Sequence, residues 1–328
     1  MIHYKALEMH AHTLHSDGTF TVEGLCRAGK ARELDGVALT DHNTLSGHGE
    51  ATPQLERETL PLIQGIEWTT FYGHMLVIGA GRFVDWRDAT PSTIDTFTRA
   101  IREAQGAVGI AHPFALGSPF CTGCYWEYNV QDWSQVDYVE VWSGPHPQHN
   151  PINDLALQYW TDLLNRGHRL AASCGRDWHG PDKGPAPHMP VTYVGVEEGV
   201  VNTRTVREAL RAGRTCVTSG PSVALSVAQD GRVYGIGDEV KPGKATLRWE
   251  VDLQARASQW AGFGIGPRKV HIVQNGAPVR SFSCTEDPVQ YGEAELDLWP
   301  GWLRLEVEGE YMQKSSQLLA FTSPVYVG

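Results

Sequence analysis

Short apolar runs alternate with helical patterns through the first two thirds of the chain. Residues 7–12, 36–40, 60–67, 74–79, 107–111, 136–142 and 170–173 are nearly continuous apolar stretches of strand length, the pattern of strands buried on both faces. Between several of them, residues 22–34, 92–105, 153–166 and 204–212 carry apolar positions at helical spacing, with Gly36, Gly106, Gly167 and Gly213 near their C-terminal ends. From Ser219-Gly220-Pro221 onward the period changes. Residues 245–251, 269–274, 294–299 and 303–308 alternate with period two, and Asn275-Gly276 is a hairpin turn signal. The expectation is an α/β domain over residues 1–220 and an all-β sandwich over 221–328. The proline-rich stretch 180–190 reads as a loop, because strand-like sequence resumes at Val191.

Composition narrows the function classes. The 328 residues are 41% hydrophobic and 20% charged, close to the globular average, which excludes a disordered or fibrous chain. No apolar stretch is long enough to span a bilayer, and residues 1–10 lack the pattern of a secretory signal, so a cytoplasmic protein without membrane partners is expected. Net charge is −11 with no basic run, which argues against nucleic-acid binding and leaves a small molecule as the expected partner; the sequence is silent on oligomeric state. Six cysteines are too few for a disulfide scaffold. Cys121 and Cys124 form a lone CxxC with no second pair, which reads as two loop thiols before it reads as a zinc site.

Histidine is unevenly spread: thirteen of the fourteen lie between His3 and His188. Several stand at expected strand ends. His10-Ala11-His12 places two imidazoles on one strand face and is followed by Ser16-Asp17-Gly18. Thr40-Asp41-His42, Gly65-Ile66-Glu67, Ala111-His112-Pro113 and Arg176-Asp177-Trp178-His179 end further runs. In a parallel βα barrel all strand C-termini meet at one rim, so groups spread along the chain would converge there. Imidazoles and carboxylates gathered in this way suit a divalent cation such as Zn²⁺, Mn²⁺ or Fe²⁺.

These motifs, in this order and spacing, resemble the PHP superfamily of polymerase and histidinol phosphatase domains over roughly residues 5–217. The 138–142 and 153–166 segments and the closing Thr322-Ser323-Pro324-Val325-Tyr326-Val327 are similar to its carbaryl-hydrolase-like branch, whose members carry a β-sandwich after the PHP domain. The resemblance implies a distorted (β/α)7 barrel holding two or three divalent ions (Mn, Zn or Fe). Carried over by position, His10, His12, Glu67 and Asp177 would hold the first ion; Glu67, His112 and His74 the second; Asp17, His42 and His179 the third. Glu67, Asp177 and His179 would take the catalytic roles.

The resemblance further implies a hydrolase that uses a metal-bridging hydroxide at a di- or trinuclear centre. No GxSxG elbow is present, and Cys174 has no motif partner for nucleophilic catalysis. A phosphoesterase acting on a small organic phosphate is expected first, a carboxyl- or carbamic-ester hydrolase of the carbaryl type second, and a non-catalytic metal-stabilised binding module third. His15, Arg176 and Trp142 are the candidate substrate contacts, although Arg176 reads more readily as a structural ion pair. Asp41 alternates away from His42 and suits support or capping. His146, His149 and His188 are candidate proton donors to a leaving group. Phe114, Phe120, Tyr125, Trp126, Tyr128, Trp133 and Trp142 either cap the barrel or form an apolar pocket for a flat group.

Overall fold

In a computed structural model the described residues are 1–117, 123–183 and 188–328. The first part is a curled mixed sheet built from β1 (Ile2–Ala11), β2 (Gly36–Leu39), β3 (Leu62–Thr70), β4 (Gly73–Ile78), β5 (Ala107–Ile110), β6 (Tyr138–Ser143), β7 (Ala171–Gly175), β8 (Val191–Glu197) and β9 (Thr215–Thr218). Helices α1 (Val22–Ala31), α2 (Pro53–Glu58), α3 (Ile94–Glu103), α4 (Pro151–Asn165) and α5 (Thr203–Arg211) connect them. Local chemistry sets the helix starts. Thr21 caps α1 by accepting from Gly24 N, Asn150 precedes Pro151 at the start of α4, and Asn202 and Thr205 cap each other's backbone at α5.

The strand order is β9-β8-β1-β2-β3-β4-β5-β6-β7. β1–β2, β2–β3, β5–β6 and β6–β7 are parallel, whereas β4 runs antiparallel to both β3 and β5, and β8 antiparallel to β1 and β9. The structure shows a curled mixed α/β sheet and not a closed form of the expected distorted (β/α)7 barrel: among the described residues no ladder joins β7 to β1. Two hydrogen bonds stitch that seam instead: Trp178 N donates to His10 O (3.0 Å) and His12 N to Trp178 O (2.9 Å). The reversal of β4 matters for the site, because it brings the start of β4 to the rim where β1, β2, β3, β5, β6 and β7 end.

The remaining strands are β10 (Ser222–Gln229), β11 (Arg232–Tyr234), β12 (Glu239–Val240), β13 (Gly243–Asp252), β14 (Ile265–Gln274), β15 (Ala277–Ser283), β16 (Val289–Leu298), β17 (Gly301–Tyr311), β18 (Lys314–Thr322) and β19 (Val325–Val327), with the short helix α6 (Ala257–Trp260). One sheet is β11-β10-β13-β16. The other, with β14, β15, β17, β18, β19 and β12, continues the first sheet through β18, which pairs antiparallel with β9. Alternate residues Val223, Leu225, Val227, Leu247, Trp249 and Val251 bury against Val270, Ile272, Leu303, Leu305 and Val307, and this core runs without a break to Phe20, Val22 and Leu25 under α1. Asn275 (φ 50°) and Gly276 (φ 85°) make the tight turn between β14 and β15.

His188 lies where the two parts meet. It is fully buried; Nε2 donates to Ser219 O (2.5 Å), and Nδ1 stands 3.1 Å from the Tyr311 hydroxyl. Burial pushes its pKa down to about 4. An unfolded histidine titrates near 6.5, so between those values the unfolded chain binds the extra proton and stability falls as the pH is lowered through that window. The loss reaches about 3 kcal/mol at full titration. Urea unfolding at pH 7 and pH 4.5 is expected to show this slope in the native chain and a flatter one in His188→Asn; parallel slopes would contradict it.

Candidate metal centre

The rim gathers all nine expected ligands. His10 and His12 come from the end of β1 and beyond, Asp17 from the following loop, His42 from just after β2, Glu67 from β3, His74 from the start of β4, His112 from just after β5, and Asp177 and His179 from the segment after β7. Glu67 lies at the middle. Its Oε2 is 3.1 Å from His10 Nε2, 3.3 Å from His12 Nε2 and 3.0 Å from His42 Nδ1, and its Oε1 is 2.7 Å from His74 Nδ1 and 3.0 Å from His112 Nε2. Asp177 Oδ1 is 3.3 Å from His10 Nε2 and 3.1 Å from His12 Nε2. Asp17 faces His179 Nε2 at 3.2 Å and His42 Nε2 at 3.4 Å.

Each of three groups, His10-His12-Glu67-Asp177, Glu67-His74-His112 and His12-Asp17-His42-His179, offers ligand atoms lying within 4.8 Å of one another. Four ligands at about 2.1 Å around one ion stand roughly 3.4 Å apart, close to the spacings in the first group. His10 Nε2, both nitrogens of His12, Glu67 Oε2 and His112 Nδ1 are buried without a hydrogen-bond partner. Buried polar atoms are ordinarily satisfied, and a shared cation satisfies several of these at once. The residues present fit divalent ions.

Hydrogen bonds behind the ligands set their tautomers. His10 Nδ1 is 3.0 Å from Glu140 Oε1, and His179 Nδ1 is 2.8 Å from the Asp177 carbonyl, so in both rings the proton belongs on Nδ1 and the Nε2 lone pair faces the cavity. Thr69 Oγ1 donates to Glu67 O and takes His42 Nδ1 at 2.6 Å, which leaves His42 Nε2 toward Asp17. Asp41 points away from the ligands and accepts from Thr13 N, Thr13 Oγ1 and Ser16 Oγ, holding the loop that carries Asp17. Gly18 permits that loop to close, since a Cβ there would lie 2.5 Å from the His12 carbonyl. Asp177 (φ 55°) and His112 (φ 21°) hold left-handed backbone, local strain at the residues that carry the chemistry.

The electrostatics match a cation site. Burial alone would push the Glu67 carboxyl up, but His10, His112 and His12 hold it well below the usual range. Burial likewise opposes ionisation of Asp177, and His10 and His12 lower it. Burial disfavours charge on His12, yet Asp177 and Glu67 raise its pKa to about 9. The metal-free carboxylates thus retain imidazolium protons that a bound cation would displace.

Glu140 and Glu8 escape the reading of the sequence. Glu140 accepts His112 N through Oε2 (2.9 Å) while Oε1 takes His10 Nδ1. Glu8 Oε1 accepts both His10 N and Arg176 N at 2.8 Å, and burial raises its pKa to about 7. These carboxylates satisfy backbone groups along the unladdered seam, and Gly175 keeps them close, since a Cβ there would lie 2.6 Å from Glu140 Oε1. A signal for both existed: a lone carboxylate inside an otherwise apolar buried run. Glu140→Gln is expected to lower metal affinity about 10- to 100-fold, the usual cost of losing a partner behind a ligand. Competition with a chromophoric chelator measures it, and unchanged affinity would contradict the positioning role.

The cavity above the ligands has a volume of about 570 Å³ and is lined by Asp17, His42, Glu67, Thr69, His74, His112, Asp177 and His179, with Ala115, Leu116, Gly117, Cys124 and Ser143 completing the wall. The three expected substrate contacts are not among these residues. His15 bonds Ser46 Oγ (2.8 Å) and Glu50 Oε1 (2.7 Å). Arg176 pairs with Asp182, which also takes Arg32, and stacks over Trp178. Trp142 packs edge-on against Phe321 because a bulge between Glu140 and Trp142 shifts the alternation of β6 and turns Ser143 toward the cavity.

The other candidates scatter. Tyr128 is buried, its hydroxyl donating to Thr70 Oγ1, and Phe114, Tyr125, Trp126 and Trp133 also stand outside the cavity lining. His146 Nδ1 meets the Tyr311 hydroxyl (3.1 Å), and His149 packs on the Tyr311 ring, so these two and His188 belong to the junction with the β-sandwich. Burial drives the Cys174 thiol far above its ordinary pKa. Cys124 lines the cavity, while Cys121 and Phe120 lie outside the described residues. No helix among the described residues is long and apolar enough to cross a membrane.

The site is a cluster of metal-competent side chains at one rim of a curled α/β sheet. The PHP domain family model matches residues 8–111, which run from β1 to just past β5. A crystal structure described as a two-domain protein containing a predicted PHP-like metal-dependent phosphoesterase, from Bacteroides vulgatus ATCC 8482, is similar over 99% of this chain and 96% of its own at 17% identity with a TM-score of 0.53, which shows a shared fold. A crystal structure described as that of a putative metal-dependent phosphoesterase from Bifidobacterium adolescentis ATCC 15703 matches 62% of this chain and 95% of its own at 21% identity and a TM-score of 0.41. Comparison with the curated proteins finds no match.

Proposed function

We propose that this chain is a metal-dependent hydrolase, a phosphoesterase acting on a small organic phosphate at a di- or trinuclear centre of Mn, Zn or Fe. The observation that carries the proposal is the position of Glu67: one buried carboxylate whose two oxygens reach five imidazoles from four other segments of the chain. The PHP match over residues 8–111 and the fold shared with the two-domain Bacteroides protein support the same reading. Residues 1–220 hold the reacting groups in this view, and residues 221–328 brace the rim through β18 and Tyr311.

Bound divalent ions acidify a water and neutralise charge that develops on the departing oxygen. The chain supplies the rest. His10, His12, Glu67 and Asp177 form the first ligand group, Glu67, His74 and His112 the second, and Asp17, His42 and His179 the third. Glu140, the Asp177 carbonyl and Thr69 keep the rings of His10, His179 and His42 in the required tautomer. His179, half-exposed at the cavity edge, holds Nε2 toward Asp17 on the open side of the cavity, where solvent can supply the proton that the departing group takes up.

A carboxyl- or carbamic-ester hydrolase of the carbaryl type is the second reading, favoured by the lack of Lys and Arg among the described residues of the cavity wall. Assays of para-nitrophenyl phosphate, bis-para-nitrophenyl phosphate and para-nitrophenyl acetate on the protein as purified separate the two. Turnover of a phosphate ester well above that of the acetate is expected, and turnover of the acetate alone would transfer the assignment to the second reading. A metal-stabilised binding module is the outcome if all three stand inert over a full complement of metal.

A further inference from the structure

Two residues of the proposed ligand groups, Asp177 and His179, stand on a short turn after β7 that is closed by the pairing of Arg176 with Asp182. Arg176 Nη2 donates to Asp182 Oδ1, and the other oxygen of Asp182 takes Arg32 Nη2 at 2.5 Å. Arg32 ends α1, and its carbonyl accepts Arg256 Nη2 of the β-sandwich at 2.8 Å. Beside it, Ser258 and Gln259 donate to the Glu33 carboxylate. A line of contacts therefore runs through Arg256, Arg32, Asp182 and Arg176, from the second domain to the residue that precedes Asp177. The side chains of Arg32, Arg176 and Asp182 are 9%, 12% and 16% exposed, so salt screens these pairs little. Lys183, next in the chain, is exposed.

Both ligands depend on how this turn is held. Asp177 keeps left-handed backbone (φ 55°), which a residue other than glycine retains only where its surroundings over-determine it. One set of contacts is backbone: Arg176 N donates to Glu8 Oε1, Trp178 exchanges hydrogen bonds with His10 and His12, and His179 O accepts Thr19 N. A second set is made by side chains, since the Arg176 guanidinium lies over the Trp178 ring and Asp182 fixes it there. With an amide at position 182, two largely buried guanidiniums would face each other without the carboxylate that now separates them, and their repulsion would open the turn. We propose that Asp182 is a positioning residue for the metal ligands Asp177 and His179, and that the β-sandwich steadies both ligands through Arg256, Arg32 and Asp182. This deepens the reading of the site as a metal centre and rests on it.

The test is chelator competition on full-length protein loaded with Mn²⁺ or Zn²⁺. Asp182→Asn is expected to lower metal affinity about tenfold, the low end of what losing a partner behind a ligand costs, and Arg256→Gln about threefold. The double variant is expected to match Asp182→Asn alone, because both changes break one line of contacts. Asp182→Glu, which keeps the carboxylate, is expected to recover most of the affinity, and Lys183→Gln, which removes an exposed charge from the same segment, to retain all of it. A merely loosened fold would melt earlier when metal-free yet bind metal as tightly as native once folded, so the melting temperature of chelated protein is measured beside each affinity. Native affinity in Asp182→Asn overturns the positioning role while leaving the metal centre in place. Additive losses in the double variant, or native affinity in Arg256→Gln, overturn the link to the β-sandwich, and the second of these can be read even where Asp182→Asn does not fold. Native protein that binds neither ion overturns both the inference and the reading beneath it.

Discussion

Glu67→Gln is expected to lower turnover at least about a thousandfold while leaving the fold intact, the scale of losing a group that several transition-state contacts depend on. Both Glu67 oxygens lie among imidazoles, Oε2 within 3.3 Å of His10, His12 and His42 and Oε1 within 3.0 Å of His74 and His112, a central position that no other carboxylate shares among the described residues. The amide keeps the size and one acceptor oxygen but replaces the other with a donor that cannot ligate a cation. Because the side chain lies in a cavity lining and not in the apolar core, circular dichroism and the unfolding transition of the metal-free protein are expected to stay close to native. Turnover within tenfold of native would show that Glu67 does not bridge the ligand groups.

Removing metal with a chelator is expected to lower the melting temperature by roughly 5–10 °C, since an ion held at a thousandfold excess over its dissociation constant adds about 4 kcal/mol. The physical reason is the crowd of charges at one seam. Glu8, Glu67 and Glu140 are buried with Asp177 close by, and the ion-pair partners of Glu67 and Glu140 among the described residues are imidazoles. Re-adding Mn²⁺ or Zn²⁺ should restore the transition, and Glu67→Gln should show little dependence on metal. A melting temperature indifferent to chelation would mean that the carboxylates are compensated by the imidazoles alone.

The convergence of these side chains was legible in the sequence because they occur as short motifs at strand ends, where a curled sheet brings ends together whatever the sequence separation. His74 shows the limit of that logic. It begins a strand, and only the antiparallel course of β4 explains why a strand start reaches a rim of strand ends. Trp142 shows another, since the bulge that turns it away from the cavity and into the core against Phe321 leaves no mark in an alternation count. Arg176 followed alternation as read, and Asp182 claims it. Glu8 and Glu140 went unassigned because a carboxylate inside an apolar strand announces a partner without saying which one. The β-sandwich was visible through period two and Asn275-Gly276, but the pairing of β18 with β9 joins residues too far apart in the chain for any local pattern to signal.

The metal content of the protein purified without chelator or added metal tests the central claim most directly. About two or three equivalents of Mn, Zn or Fe per chain in the native protein, falling to about one or fewer in Glu67→Gln, is the result expected if the three ligand groups share Glu67. Less than about a tenth of an equivalent in the native protein, or the same content in both, would contradict it.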